Sequence, residues 1–207
     1  MLVSDSESGG LVLASASAVR ARLLRAAGLS FEIAAANIDE GSVREALLAD
    51  GDDVSGDDLA EVLARTKATD VAERGLARWT IACDQVLMCE GNVFEKAVND
   101  DDARANLLAL CGKTHSLHSA IVLADGREVV WANVDVAHVT LRKFTPQFLG
   151  RYMAAAGDAV RRSVGGYELE GLGIQLIDRI DGDYFTVLGL PLYALLSELR
   201  MRQLMDA

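Results

Sequence analysis

Apolar positions begin as an unbroken run, Leu11–Ala14, and then change period: Ala18, Leu23, Leu24 and Ala27 recur as on one helical face, with Gly28 as a stop signal. This predicts a buried strand over 11–15 and a helix over 18–27. Phe31–Ala36 reads as a second strand candidate. The acidic, glycine-containing stretch Asp50–Asp58 reads as a loop, and from Leu59 to about Glu73 the residues Ala60, Ala64, Ala68 and Val71 share a small-residue face that Lys67 interrupts. Trp79–Met88 is apolar almost throughout, as a strand buried on both faces is, yet Asp84 and Gln85 sit in its middle.

A turn at Glu90–Asn92 leads to a short strand ending at Phe94–Lys96, and a helix is predicted over 100–110. Residues 115–124 and 128–142 read as a long antiparallel pair around Asp125 and Gly126. Within the second of these, Val130, Val134 and Val136 keep one parity while Val139 and Leu141 take the other, which predicts a bulge near Ala137 and His138. Thr145 and Pro146 start a helix that Gly157 stops, and Pro191 opens a last helix with Leu192, Leu195, Leu196 and Leu199 as its core stripe. The sum predicts an α/β fold: a mixed twisted sheet with flanking helices, in two lobes around a central cleft. Residues 1–10 read as a disordered tail and 11–207 as one domain.

Composition narrows the function classes. The 207 residues are 51% hydrophobic and 25% charged, ordinary for a globular protein, and the formal charge of −11 argues against nonspecific nucleic-acid binding. One anionic ligand stays compatible with that charge if the cations concentrate locally. Cys83, Cys89 and Cys111 match no disulfide framework or zinc spacing and read as small core residues in a reducing compartment. The acidic opening lacks the basic start of a signal peptide, and no apolar run reaches the roughly 18 to 20 residues of a spanning helix. The expectation is a cytoplasmic protein with no membrane or nucleic-acid partner.

Candidate chemistry centres on charges in apolar surroundings. An ionised Asp84 inside an apolar strand is costly unless it meets a cation, a metal or hydrogen-bond donors, a need that a structural ion pair also meets. Lys67, Lys96 and Lys113, with Arg20 and Arg142, are cations able to cluster with it, and such a set suits Mg²⁺ and a polyphosphate. The strand, hydroxyl run and helix start of Leu11–Leu24 suit an anion, because unpaired N–H groups and the helix dipole favour negative charge, with Ser15, Ser17 and Arg20 as its ligands. A capped surface helix has the same local pattern. Asp39 and Glu40, closing a strand, are a candidate metal-binding pair. Gly165–Gly173 carries four glycines and reads as a loop passing close to another backbone or a ligand. His115, His118 and His138 have no ligand spacing and read as structural.

In order along the chain, these pieces resemble the Maf family of nucleoside triphosphate pyrophosphatases. The matching elements are Leu13–Arg20 (LASASAVR), Phe31–Glu40, Ala64–Ala68 (ARTKA), Cys83–Val86 (CDQV) and Glu95–Lys96. They continue with Gly112–His115 (GKTH), Val139–Arg142 (VTLR), Gly166–Gly171 (GYELEG) and Val187–Pro191 (VLGLP). The resemblance implies a homodimer and metal-dependent hydrolysis of a nucleotide between its α and β phosphates, with Mg²⁺ or Mn²⁺ as the cofactor. It places the catalytic aspartate on Asp84, a metal- or water-positioning acid on Glu40, and phosphate-handling groups on Ser15, Arg20, Lys67 and Lys96, with Lys113 a weaker member.

Ala18 and Ala97 stand where the family usually has proline, which concerns loop stiffness rather than functional groups. The base-selecting positions hold Val19, Gln85 and Glu170. The branch resembling 7-methyl-GTP hydrolases carries Trp, Gln and Glu there; the branch resembling dTTP and UTP hydrolases carries Arg, Thr and Gln. Two of the three match the first branch, and a carboxylate at Glu170 can accept both N–H groups of a guanine edge. Val19 offers no ring to stack on a cationic purine. The expected function is therefore hydrolysis of 7-methyl-GTP, with a dTTP/UTP pyrophosphatase or a noncatalytic nucleotide-binding regulator of septum formation as the alternatives.

Overall fold

Val12, Leu13 and Ala14 are buried in strand β1 (Leu11–Ala14), the first element of a computed structural model that describes residues 10–49 and 54–206. All but the last residue of the expected tail, and the Asp50–Asp53 part of the expected acidic loop, lie outside the described residues. Ser17 caps helix α1 (Ala18–Ala26), which buries Ala21, Leu23 and Leu24. Ala18 is exposed rather than inward, because six residues of helix turn it about 120° away from Leu24. Strand β2 (Glu32–Ile33) pairs parallel with β1 through Val12 and Leu13. It is shorter than the expected strand because β1 itself ends at Ala14.

Helix α2 (Glu40–Ala49) precedes helix α3 (Gly56–Ala72), which starts at a capping box between Ser55 and Asp58. Strand β3 (Trp79–Cys89) lies parallel beside β1, Leu11 opposite Trp79 and Ala14 opposite Ala82. After β3 come strand β4 (Asn92–Phe94), helix α4 (Asp100–Leu110) and the long neighbouring strands β5 (Thr114–Asp125) and β6 (Glu128–Leu141). Helices α5 (Pro146–Ala156) and α6 (Ala159–Arg162), a 3₁₀ turn over Leu172–Leu176, strand β7 (Ile177–Asp181), helix α7 (Tyr184–Val187) and helix α8 (Leu192–Met201) complete the chain. The strands form one mixed sheet in the order β2-β1-β3-β5-β6-β7, with β4 added to β3, so the α/β fold expected from the pattern is the one observed. Among the described residues, no helix is long and apolar enough to cross a membrane.

The described residues gather into two compact units, one holding 10–49, 54–85, 119–135 and 188–206, the other 86–118 and 136–187. In the first, Leu13, Leu24, Leu59, Leu63, Ile81, Ile121 and Leu195 are buried. In the second, Leu87, Leu107, Leu110, Val139, Leu141 and Leu149 form the core. There β6 and β7 pair antiparallel, with a register irregularity between Thr140 and Leu141 rather than near Ala137 and His138. Val129–Val136 are all half-buried, whereas Ala137, Val139 and Leu141 are buried, so the sharp alternation of the strand begins only at Ala137. The Gly165–Gly173 segment is a loop that folds against itself: a Cβ on Gly173 would stand 2.5 Å from the Glu168 carbonyl oxygen.

Candidate active site

The first unit brings an acid from β3, a lysine from α3 and a glutamate from the start of α2 to one point. Lys67 Nζ lies 2.5 Å from Asp84 Oδ1 and 2.8 Å from Glu40 Oε1. Asp84 is 6% exposed, and the Lys67 side chain is also largely shielded, whereas Glu40 reaches solvent. The demand that an acid in an apolar strand makes is thus met by an ammonium, and that ammonium is shared with a second carboxylate. Glu40 opens α2, where the Asp39 carboxylate accepts from the Ser42 backbone N–H and hydroxyl. Those two bonds hold the Asp39 carboxyl below the usual carboxylate range. They also occupy both Asp39 oxygens in capping, leaving Glu40 as the acid of the pair that faces Lys67.

Ser15 and Cys83 directly follow Ala14 and Ala82, the last paired residues of β1 and β3. Arg20 bridges them: Nη1 donates to the Cys83 carbonyl at 2.9 Å and to Ser15 Oγ at 3.3 Å, while Nε donates to the Gly189 carbonyl at 2.7 Å. Ser15 Oγ also accepts from the Ser17 N–H, which folds the turn ahead of α1. The Cys83 thiol reports how closely the charges gather. Burial, opposed by the Arg20 and Lys67 cations and aided by Asp84, leaves it pushed up to about 11.

Gln85, the next residue of β3, donates from Nε2 to Ser119 Oγ on β5 at 2.9 Å, so its amide is oriented by a fully buried hydroxyl. Val19 is half-buried on α1. The remaining predicted residues belong to the second unit. Lys96 is exposed after β4, Lys113 pairs with Glu90 at 2.7 Å, and Glu170 accepts from the Tyr184 hydroxyl at 2.9 Å. The loop carrying Glu170 is anchored where His115 Nε2 meets the Tyr167 hydroxyl at 2.6 Å and Tyr152 donates to the Gly166 carbonyl. Arg142 donates to the Gln175 carbonyl and stacks over Phe148.

Three contributors escape the sequence reading: the carbonyls of Cys83 and Gly189, which hold Arg20, and the Ser119 hydroxyl. Only Ser119 carries a signal, a hydroxyl inside an apolar strand. Among the described residues no three His, Cys, Asp or Glu side chains form a metal-holding group. The two carboxylates that converge are nonetheless of the right kind for Mg²⁺, which takes one or two carboxylates and completes its shell with water and substrate phosphate.

Comparisons with known proteins agree with these motifs. A family model described as Maf-like protein matches residues 10–202. The 7-methyl-GTP pyrophosphatase of Brucella abortus biovar 1 (strain 9-941) is 45% identical over 196 residues, 95% of this chain and 98% of that protein. The protein of the same description from Mesorhizobium japonicum is 45% identical, covering 92% of this chain and 94% of its own length. The nucleoside triphosphate pyrophosphatase of Nitrobacter winogradskyi is 46% identical over 197 residues, 95% of either chain.

Proposed function

This chain belongs to the Maf-like protein family, and we propose that it is a nucleoside triphosphate pyrophosphatase whose substrate is 7-methyl-GTP. The observation that carries the reading is the Lys67 ammonium held between Asp84 and Glu40. A binder of polyphosphate gains nothing from a buried anion such as Asp84 beside its ligand, whereas hydrolysis needs a base there. Water attacks the α phosphorus, Asp84 takes its proton, and the bond from that phosphorus to the β-phosphate oxygen breaks, leaving the monophosphate and pyrophosphate. Lys67 holds Asp84 in line and, with Arg20, neutralises charge on the leaving pyrophosphate, a role the family resemblance also gives to Lys96 and Lys113. Ser15 and the N–H groups at the start of α1 take phosphate oxygens.

Asp84 and Glu40 would hold a divalent cation, Mg²⁺ or Mn²⁺, which lowers the pKa of bound water and offsets phosphate charge. Base choice falls to Val19, Gln85 and Glu170: Glu170 accepts from the guanine edge, and the Gln85 amide is oriented by its bond to Ser119. A homodimer is part of the proposal, on the family resemblance. The free cysteines suit a reducing, cytoplasmic setting.

Pyrophosphate release from a panel of nucleoside triphosphates, with and without Mg²⁺, tests the reading. Preferential turnover of 7-methyl-GTP supports it. Preference for dTTP or UTP overturns the base assignment, and absence of turnover on every nucleotide supports the noncatalytic regulator instead.

A further inference from the structure

Glu40 reaches Lys67 from the end of a segment that has little packing of its own. Ala35, Asn37, Asp39 and Glu40 are exposed, and the intervening residues are only half-buried. A hollow of about 430 Å³ lies between Ile38 and the α3 residues Val62, Thr66, Thr69 and Asp70. Apolar contact therefore does not fix where this segment runs. Beyond the Ala34 N–H bond to the Leu13 carbonyl of β1, polar links from α3 hold it. Asp70 Oδ2 accepts from the Asn37 N–H at 2.9 Å, Arg74 Nη1 donates to the Ala35 carbonyl at 2.9 Å, and Lys67 pairs with Glu40. Lys67, Asp70 and Arg74 stand at i, i+3 and i+7, on one face of the helix. Arg74 also donates to Asp70, so a single guanidinium orients the carboxylate and grips the strand-to-helix connection.

We infer that Asp70 and Arg74 are positioning residues for Glu40: the pair clips residues 35–37 to α3 and so delivers the Glu40 carboxylate to Lys67 and Asp84. The inference rests on the proposed role of Glu40, and neither residue touches the reacting atoms. Charge-assisted hydrogen bonds at an otherwise loosely packed segment are the contacts whose loss displaces it.

Steady-state kinetics of Asp70→Ala and Arg74→Ala in the full chain, each alone and combined with Glu40→Gln, test it. The expected result is a kcat lower by about 10-fold with KM within about 2-fold, since displacing a positioned group by a fraction of an ångström costs rate rather than binding. Asp70→Asn, which keeps an oxygen for the Asn37 N–H, restores most of the rate. In the Glu40→Gln background the Asp70 and Arg74 substitutions have no further effect. An equal drop in that background, or an unchanged kcat in the Glu40 background, overturns the inference while leaving the proposed activity intact. Should the parent protein turn over no nucleotide, the proposed function fails by itself, and hydrogen exchange decides the clip. Faster exchange at the Asn37–Ser42 amides in Asp70→Ala and in the milder Arg74→Lys supports it; unchanged exchange overturns it.

Discussion

The Gly189 carbonyl accepts a 2.7 Å hydrogen bond from Arg20 Nε, joining residues 169 positions apart. Gly189 has a φ of +82°, and a Cβ there would stand 3.1 Å from Arg20 Nη2 and 3.5 Å from Gln85 Cδ. Gly189→Ala therefore strains the backbone by about 1–2 kcal/mol and pushes on the guanidinium that holds Cys83 and Ser15. The expected outcome is a lowered urea midpoint and a kcat/KM reduced by about 10-fold, more than the stability loss alone explains. Unchanged kinetics with the lowered midpoint would show that the Arg20 clip is only structural.

Removal of Lys67 leaves the shielded Asp84 without its ammonium partner. Lys67→Met is expected to cost about 3–5 kcal/mol in chemical denaturation, the range for breaking a buried pair. Adding Asp84→Asn to it should recover part of that loss, because the unpaired anion is gone. Asp84→Asn alone should keep the fold and lower kcat by at least about 100-fold, as loss of a general base does. Recovery of activity in the double variant would contradict the assignment.

Much of this arrangement was legible in the sequence, and the residues show why. Asp84 in an apolar strand and Lys67 in a small-residue helix face each violate the local pattern, and the violations resolve each other. Period gave the helices well: Asp100–Leu110 and Pro146–Ala156 lie where the pattern put them. What stayed hidden runs through backbone carbonyls and exposed polar side chains. Cys83 and Gly189 act on Arg20 through oxygen atoms that every residue has. Asp70 and Arg74 look like any i,i+4 surface pair until the segment they hold is in place. The short β2 was misjudged because strand length there depends on its neighbour, not on Phe31–Ala36.

His115 gives a pH dependence unrelated to the carboxylates. Burial lowers its pKa from 6.5 to about 4, and its Nδ1 has no hydrogen-bond partner to receive a second N–H. Above about pH 6.5 the folded and unfolded forms are both neutral. Between there and about pH 4 the unfolded chain binds a proton that the folded chain does not, so stability falls by on the order of 3 kcal/mol. Below about pH 4 both forms bind it and this slope ends. Denaturation midpoints across that window should flatten in His115→Gln; a slope equal to that of the parent would assign it to other groups.

Base selection at Glu170 can be separated from catalysis. Its carboxylate accepts a hydrogen bond from Tyr184, and a carboxylate is the kind of group that can accept from the two N–H groups of a guanine edge. Glu170→Gln replaces one acceptor by a donor, so one of those contacts becomes repulsive, while a uracil edge, with a carbonyl in its place, gains a partner. Hydrogen bonds to charged groups are worth about 1.5–3 kcal/mol, so the ratio of kcat/KM for 7-methyl-GTP over UTP should fall by about 10- to 100-fold. Turnover of the favoured nucleotide at saturation should change less, because Glu170 is not among the groups assigned to the reacting phosphorus. Tyr184→Phe, which removes that donor without changing the charge of Glu170, should leave the ratio near that of the parent. If Glu170→Gln leaves the nucleotide profile unchanged, the base is read elsewhere, and Gln85 with its Ser119 partner is the next pair to vary.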